Sequence, residues 1–345
     1  MDEPVGRKPT ISDVANWAGV STATVSRALA APEKVRLRTR EAVVKAVREI
    51  GYVPNLAARN LRTSRTRTIL AVLPDFSNAF FSLVLRGISD KLVAQGYSLI
   101  IADTRNDPAR EAQYAEFITA GRVDGVLLLN GRSLLAASDV RLSKTPTVSL
   151  CERIPGAAFP HVETENRRAA RAVTSYLASL GHRRIGYVRG PPTNVLEHER
   201  FAGYKDALRD AGMRLDRGLV AEGDFSLASG EAAAETYLAA RAIPHAIFAC
   251  NDAMAMGLIR RLFAAGVIVP RDVSVAGFDD IEFAEAYNPA ITTVRQARWE
   301  IGERAASVLL RLVDGEPLVE REIRLPAELV VRESTAMRAP QCPES

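Results

Sequence analysis

Residues 11–29 read ISDVANWAGVSTATVSRAL and predict two short helices joined by a tight turn. Thr10 followed by Asp13 is a typical helix start, and Gly19 can adopt the left-handed conformation that ends a helix. The apolar face of the first helix follows from helical spacing and consists of Ile11, Val14, Ala15 and Ala18. The stretch therefore predicts a helix-turn-helix unit.

The second helix, capped by Ser21, presents two chemically different sides. At about 100° per residue, the side that we expect to pack consists of Thr24, Val25, Ala28 and Leu29. The outward side consists of Thr22, Ala23, Ser26 and Arg27. Hydroxyls, a methyl group and a guanidinium can contact base edges and phosphates, so we interpret Ser21 and this side as a DNA-binding surface. An ordinary surface hairpin of helices is the alternative.

Charge is distributed unevenly along the chain. Residues 1–67 contain 13 Lys and Arg against 6 Asp and Glu, a net charge of +7. The whole chain of 345 residues carries +4, so the remainder carries −3. A basic module joined to a mildly acidic body is typical of nucleic-acid binding, with a solvated basic surface as the alternative.

A third helix is predicted to end at Gly51. Its apolar face is predicted to consist of Val43, Val44, Val47 and Ile50. With this helix, the first 50 or so residues form a three-helix unit with a small core.

From Thr68 onward, short apolar runs alternate with helical patterns. These runs lie at 69–73, 99–101, 126–129, 185–188, 246–249 and 273–276. Continuous apolar strands that alternate with helices predict parallel sheets covered on both faces. Roughly 280 residues of this pattern exceed a usual single core, so we expect two α/β subdomains.

Ligands of open α/β sheets bind beyond the carboxyl ends of the strands. Asn251 and Asp279 follow two of the apolar runs and are therefore candidate ligand contacts. The sequence patterns of phosphate loops, dinucleotide folds, serine hydrolases and zinc peptidases do not occur, and the four histidines are scattered. We therefore expect neither an enzyme nor a metal or cofactor site.

The three cysteines form no paired motif, which suits a reducing cytosol. The chain shows neither a signal peptide nor an apolar stretch of about 18 residues. We therefore expect a cytoplasmic protein without membrane contact.

Several motifs stand in the order of one known family. They are DVA at 13–15, VSTATVSRAL at 20–29, GYVPN at 51–55, VDG at 123–125, GHRRI at 181–185, ND at 251–252, GFDD at 277–280, TTV at 292–294 and REST at 332–335. On these motifs the chain resembles the LacI/GalR (lactose-repressor) family of bacterial transcription regulators over about residues 10–337. Short local motifs, such as RTIL at 67–70, are similar to those of the cytidine-repressor branch of that family.

The resemblance implies a hinge helix at about residues 54–62 that orders on operator DNA. In the family this helix inserts a leucine into the minor groove, where an apolar wedge unstacks a base step. Leu61 occupies that place here, and Asn55 joins it as a DNA contact. The helix has fewer than two apolar turns and is too short to be stable alone in water. A linker residue that covers the neighbouring domain is the alternative for Leu61.

The resemblance also adds residues to the ligand site. With Asn251 and Asp279, the implied effector contacts are Phe80, Asn194, Arg200 and Phe225. Such a set can hydrogen-bond and stack a polar ring, which implies a sugar or nucleoside effector. Loop capping is the alternative for Asn194, Arg200 and Asp279. Where many members have an aspartate after the fourth strand, this chain has Cys151 and then Glu152, which weakens a plain sugar interpretation.

The sequence thus predicts an N-terminal all-α helix-turn-helix head plus an α/β periplasmic-binding-protein-like body of two parallel-sheet subdomains. The predicted head with its hinge helix spans 1–66, and the effector-binding and dimerisation domain spans 67–345. Within the latter, the N-subdomain covers about 67–163 plus 293–325, and the C-subdomain covers about 164–292 plus 326–338.

These predictions describe a repressor that binds double-stranded palindromic operator DNA as a homodimer. A small-molecule effector between the subdomains controls it. A small-molecule binding protein of the same body fold without DNA function is the alternative.

Overall fold

The computed structural model describes residues 9–53, 65–131, 144–240 and 243–338. The chain forms two compact units, Met1–Thr66 and Arg67–Ser345. Within the described ranges, none of the helices combines the length and the apolar character that crossing a membrane would require.

The first unit, the head, is helical. Its elements are α1 (Ile11–Ala18), α2 (Thr22–Ala30), a short 3-10 helix (Pro32–Lys34) and α3 (Leu37–Glu49). The Asp13 carboxylate accepts hydrogen bonds from both the backbone N–H and the hydroxyl of Thr10, at 2.7 Å each. Gly19 ends α1 in the left-handed conformation, with φ of +65°. Both of the predicted helix signals are therefore confirmed.

A small apolar core holds the three helices together. The residues buried in it are Val14, Ala15, Val25, Ala28, Val43 and Ala46. The predicted face of α3 is wrong at one position, because Ala46 is fully buried whereas Val44 is only half-buried. Ala46 lies three residues after Val43, so both project from the same side of the helix.

The second unit, the body, is built from alternating strands and helices. In chain order they are β1 (Thr68–Leu73), α4 (Phe80–Ala94), β2 (Ser98–Asp103), α5 (Pro108–Thr119), β3 (Gly125–Leu128), β4 (Thr147–Leu150), β5 (His161–Thr164), α6 (Asn166–Ser179), β6 (Ile185–Val188), α7 (Val195–Asp210), β7 (Val220–Ala221), α8 (Leu227–Ala239), β8 (Ala246–Ala249), α9 (Asp252–Ala264), β9 (Ser274–Ala276), α10 (Glu282–Ala286), β10 (Thr293–Gln296), α11 (Arg298–Val313), β11 (Glu322–Leu325) and β12 (Ala327–Val330).

Two parallel sheets divide the body into two lobes. The first lobe contains a six-stranded sheet in the order β11-β5-β4-β3-β1-β2, with α4, α5 and α11 against it. The second contains a four-stranded sheet in the order β7-β6-β8-β9, with α6 to α9 around it. Each apolar run predicted as a strand forms one, and all pairs within these two sheets are parallel as predicted.

Ile69 to Leu73 of β1 are all fully buried, but alternate residues pack on opposite faces of the first sheet. Ile69, Ala71 and Leu73 pack with residues of α4 and α11, whereas Leu70 and Val72 pack toward α5. Side chains of a strand point alternately to opposite faces, so both faces of this sheet are buried.

Glycines bring helices of the body into very close contact. An added Cβ would lie 2.0 Å from the Trp299 carbonyl oxygen at Gly87, where α4 meets α11. At Gly203, where α7 meets α6, an added Cβ would lie 2.2 Å from the Arg167 carbonyl oxygen. At Gly257, where α9 meets α8, it would lie 2.0 Å from the Leu227 carbonyl oxygen. No larger residue fits at these three crossings without moving a helix backbone.

We predict that Gly257→Ala lowers the free energy of unfolding by roughly 1–3 kcal/mol, because the new methyl group would overpack the contact between α8 and α9. Denaturant unfolding followed by circular dichroism measures the change. Gly266→Ala is the matched control, since Gly266 has φ of +82° but no atom within 4 Å of the added Cβ. It should cost only the backbone strain, about 1–2 kcal/mol. If Gly257→Ala left stability unchanged, the packing explanation would be wrong.

Candidate functional site

The outward side of α2 is the candidate nucleic-acid surface of the head. Thr22, Ala23 and Arg27 are exposed and Ser26 is half-buried. The exposed Ser21 also has a structural role, because its hydroxyl accepts a hydrogen bond from the Thr24 N–H at 3.1 Å and caps α2. The side of the helix that carries Arg27 is therefore available for contacts outside the head.

Asn55 and Leu61, the other two predicted DNA contacts, lie outside the described residues.

A cavity between the two lobes of the body is the candidate ligand site. The first lobe lines it with Asn78, Phe80 and Phe81 around the start of α4, and with Cys151 and Glu152 after β4. The second lobe lines it with Leu196, Arg200, Phe225, Asn251 and Asp279. The structure thus brings together five of the six predicted effector contacts, all except Asn194.

The cavity is small in this conformation, at about 40 Å³. Ligand pockets typically enclose roughly 300–1,000 Å³. This conformation of the cavity therefore has no room for a sugar or a nucleoside.

Arg200, on α7, is the central charged group of the second lobe. Its Nε donates to Asn166 Oδ1 at 2.9 Å, and its Nη1 donates to the Cys250 carbonyl oxygen at 2.6 Å. Its Nη2 lies 3.4 Å from Asp279 Oδ1, and the guanidinium stacks over the Phe278 ring at 3.7 Å. Arg200 is almost fully buried, so these contacts take the place of water around its charge.

Asp279 faces Arg200 from the loop after β9. Its backbone has φ of +114°, a conformation that side-chain-bearing residues rarely adopt. Asp252 holds this loop, because its carboxylate accepts from the Ile281 N–H and the Thr293 hydroxyl. Burial raises the pKa of Asp279 to about 6, while the positive charge of Arg200 opposes the rise.

Asn251 and Asn194 both cap helices. Asn251 Oδ1 accepts from the Met254 N–H at the start of α9, and its Nδ2 donates to the Phe225 carbonyl oxygen, each at 2.9 Å. Asn194 Oδ1 accepts from the Leu196 N–H at 2.8 Å at the start of α7. Loop capping was the alternative for Asn194, and its side-chain oxygen does cap the backbone where the loop enters α7. The Asn194 side chain also lowers the pKa of Glu152.

Aromatic rings line both sides of the cavity. Phe80 and Phe81 meet edge to face, with ring centroids 5.2 Å apart. Phe225 lies opposite in a left-handed backbone conformation with φ of +71°. Gly190 makes room for its ring, because a Cβ there would lie 2.4 Å from the ring edge. These rings provide apolar faces on which a planar or sugar ring can stack.

Glu152 lines the cavity as well, although it is not among the predicted effector contacts. It is 9% exposed, lines the cavity from the first lobe and lies near Asn194 of the second lobe, whose side chain lowers the pKa of Glu152. The preceding Cys151 adopts φ of +62° and also lines the cavity, and burial raises the pKa of its thiol. The carboxyl group that is missing at position 151 is thus present one residue later. The acidic residue directly after Cys151 was the available signal.

Glu152 predicts a pH dependence of stability. Burial raises its pKa from 4.5 to about 7, so folding favours the protonated acid. The contribution of Glu152 to the free energy of unfolding should therefore fall as the pH rises from about 4.5 to about 7, and we predict that Glu152→Gln removes this contribution. Above pH 7 the variant should be the more stable protein by up to about 3 kcal/mol.

Thermal and urea unfolding of both proteins across this pH range measures the effect. Glu300→Gln, at an exposed position of α11, is the matched control. Parallel pH profiles of the wild type and Glu152→Gln would contradict the buried-acid interpretation.

These features define a class of protein: a helix-turn-helix DNA-binding regulator whose body has the fold of periplasmic binding proteins. Residues 10–55 match bacterial regulatory proteins of the lacI family, and residues 174–335 match the periplasmic binding protein-like domain. The chain belongs to the LacI family of bacterial transcription regulators. This membership confirms the predicted fold class and family.

Individual relatives match nearly the whole chain. The HTH-type transcriptional repressor CytR of Escherichia coli (strain K12) is 38% identical over 94% of this chain and 96% of its own length. The Lac repressor dimer bound to operator and the anti-inducer ONPF has a TM-score of 0.86 at 27% identity, covering 96% of this chain and all of that one. The transcriptional regulator CelR in complex with cellobiose has a TM-score of 0.74 at 34% identity, covering 95% and 100%.

Proposed function

We propose that this protein is a cytoplasmic, effector-controlled repressor that binds a palindromic operator as a homodimer. The observation that carries the proposal is the buried pair of Arg200 and Asp279 at the cavity between the lobes, in a chain whose head exposes Arg27 on a helix-turn-helix. Similarity to a repressor bound to operator as a dimer supports the DNA-binding half.

The DNA-binding half rests on the head and on the segment that follows it. We assign direct or phosphate contacts to Ser21, Thr22, Ala23, Ser26, Arg27 and Asn55, and the minor-groove wedge to Leu61. One short recognition helix reads few base pairs, so two heads related by a twofold axis would read the two halves of a palindrome.

We predict that Arg27→Ala weakens operator binding by about 1–3 kcal/mol and relaxes base preference at one position of each half-site. Binding to a set of single-base operator variants, measured by fluorescence anisotropy at fixed salt, tests this. Arg48→Ala, an exposed arginine of α3, is the matched control and should not alter base preference. An equal loss on every operator variant would show that Arg27 contacts only phosphate.

The ligand-binding half rests on the cavity, and we propose a sugar or a nucleoside as the effector. Arg200, Asp279 and Asn251 would hydrogen-bond the ligand, and the rings of Phe80 and Phe225 would stack on it. Glu152, with Asn194 beside it, supplies a second carboxyl group on the opposite lobe. Two relatives support a ligand with a polar ring: the transcriptional regulator CelR in its complex with cellobiose, and a LacI family regulator from Enterococcus faecium with bound ribose.

We propose that the two lobes are the N-subdomain and the C-subdomain, divided near residues 163 and 325. The boundary that we expected near residue 292 lies instead at 296–298, because β10 precedes that passage and its Val294 packs in the core of the second lobe. Effector binding would change how far the lobes close and thereby the spacing of the paired hinge segments at about 54–62. Effector and operator would then affect each other's affinity by the same factor.

We predict that a panel of ribose, cellobiose, cytidine and adenosine contains a ligand that stabilises the wild type against heat. A ligand at about 100 times its dissociation constant adds roughly 2.7 kcal/mol. Asp279→Asn should abolish that shift while the variant still binds operator. Asp210→Asn, on the outer surface of α7, is the matched control. If Asp279→Asn retained the ligand shift, Asp279 would serve only to order its loop.

A further inference from the structure

The chain passes between the two lobes three times, and the three passages are hydrogen-bonded to one another. They lie at 164–166, between β5 and α6, at 296–298, between β10 and α11, and at 325–327, between β11 and β12. The Glu165 N–H donates to the Leu325 carbonyl oxygen at 3.1 Å. Gln296 stands opposite Ala327 in the antiparallel pair of β10 and β12. The three passages thus form one continuous connection between the lobes. We call it the hinge, and it is separate from the hinge helix predicted at about residues 54–62.

Two residues of this hinge share the same backbone conformation. Glu165 has φ and ψ of −68° and 65°, and Ala297 has −73° and 56°. Both lie directly before a helix, and both values are those of an inverse γ-turn. Hinge motions are absorbed by a few residues at the ends of elements, so these two are suited to that task.

A series of hydrogen-bonded side chains connects the hinge to the ligand cavity. The Thr164 hydroxyl donates to Gln296 Oε1 at 2.6 Å, and Gln296 Nε2 donates to Asp279 Oδ1 at 2.7 Å. Asn166 Nδ2 donates to the Thr164 carbonyl oxygen at 3.0 Å, and Asn166 Oδ1 accepts from Arg200. All five side chains are buried. The amide of Gln296 thus joins two hinge passages to the carboxylate in the cavity.

We propose that Gln296 is a positioning residue that couples Asp279 to the hinge through Thr164. The inference rests on the proposed function, because it gives the route by which an effector contact would alter the relative position of the lobes. A ligand that hydrogen-bonds the Asp279 carboxylate weakens the hydrogen bond between that carboxylate and the Gln296 amide. The amide can then turn, and Thr164 loses its acceptor at the passage before α6.

The chemistry of glutamine suits this position. Its amide donates at one end and accepts at the other, which an ionised glutamate beside Asp279 could not do. Hydrogen bonds in series polarise one another inside a protein, so a change at Thr164 alters the bond received by Asp279. The charged or titratable groups that act on Asp279 are Arg200, Arg298, Asp252, Cys151 and Cys250.

The test compares Thr164→Val with the matched control Thr164→Ser in the full-length protein without any ligand. Valine has nearly the shape of threonine but cannot donate a hydrogen bond, whereas serine can. The readout is the pKa of the Asp279 carboxyl group, followed by NMR on ¹³C-carboxyl-labelled aspartate and assigned with Asp279→Asn. A purely structural role of Thr164 would not move this value.

We expect Thr164→Val to make Asp279 bind its proton about threefold more tightly, because the Gln296 amide becomes a weaker donor. Thr164→Ser should behave as the wild type, and Gln296→Met should show a larger increase than Thr164→Val. If Gln296→Met raised the pKa of Asp279 and Thr164→Val did not, the coupling would end at Gln296 and the proposal would be overturned. An unchanged pKa in both would overturn it as well.

A second measurement separates this inference from the proposed function. Operator affinity of each variant is measured with and without 10 mM ribose and 10 mM cytidine. The ligand changes the operator affinity of the wild type by some ratio. We expect Thr164→Val to reduce this ratio at least about tenfold, or to one where the wild-type ratio is smaller than about ten. The affinity for the ligand itself, measured by calorimetry, should stay within about threefold of the wild-type value. If neither compound changed wild-type operator affinity, the effector assignment would fail, and the Asp279 titration would still decide the hinge coupling.

Discussion

The burial of one guanidinium, that of Arg200, is the constraint on which the ligand site of the body depends. A buried charge is tolerated only when it is paired and hydrogen-bonded. Its partners come from three places: Asn166 at the start of α6, the Cys250 carbonyl at the end of β8, and Asp279 after β9. Satisfying this single charge therefore aligns three elements of the second lobe around the cavity.

Each lobe is built to move as one piece. Glycines at the contacts of α4 with α11, α6 with α7 and α8 with α9 let helix backbones approach so closely that no side chain fits between them. Packed interiors of this kind resist continuous deformation, so relative motion is concentrated where the packing is interrupted. In this body the interruption is the hinge of three short passages.

The carboxyl groups around the cavity are expensive to bury. Burial raises the pKa of Glu152, Asp279 and Asp252 above their ordinary values, so folding at neutral pH works against the ionised forms. The left-handed backbone at Cys151, Phe225 and Asp279 adds strain in the same region. Clustering of both costs at one cavity is typical of a site kept for binding rather than for stability.

The sequence by itself determined the local parts of this protein. Hydrophobic periodicity, the Thr10 and Asp13 start signal and Gly19 act over a few residues, so they predicted the head and the strand and helix rhythm of the body. Strand ends pointed to Asn251 and Asp279, while family resemblance supplied Phe80, Arg200 and Phe225. Only the tertiary structure decided that Glu152 faces the cavity. The same holds for the hydrogen bonds by which Gln296 and Thr164 join the cavity to the hinge. The bond between Thr164 and Gln296 links residues 132 positions apart, and no local pattern records which distant side chain will satisfy a buried polar group.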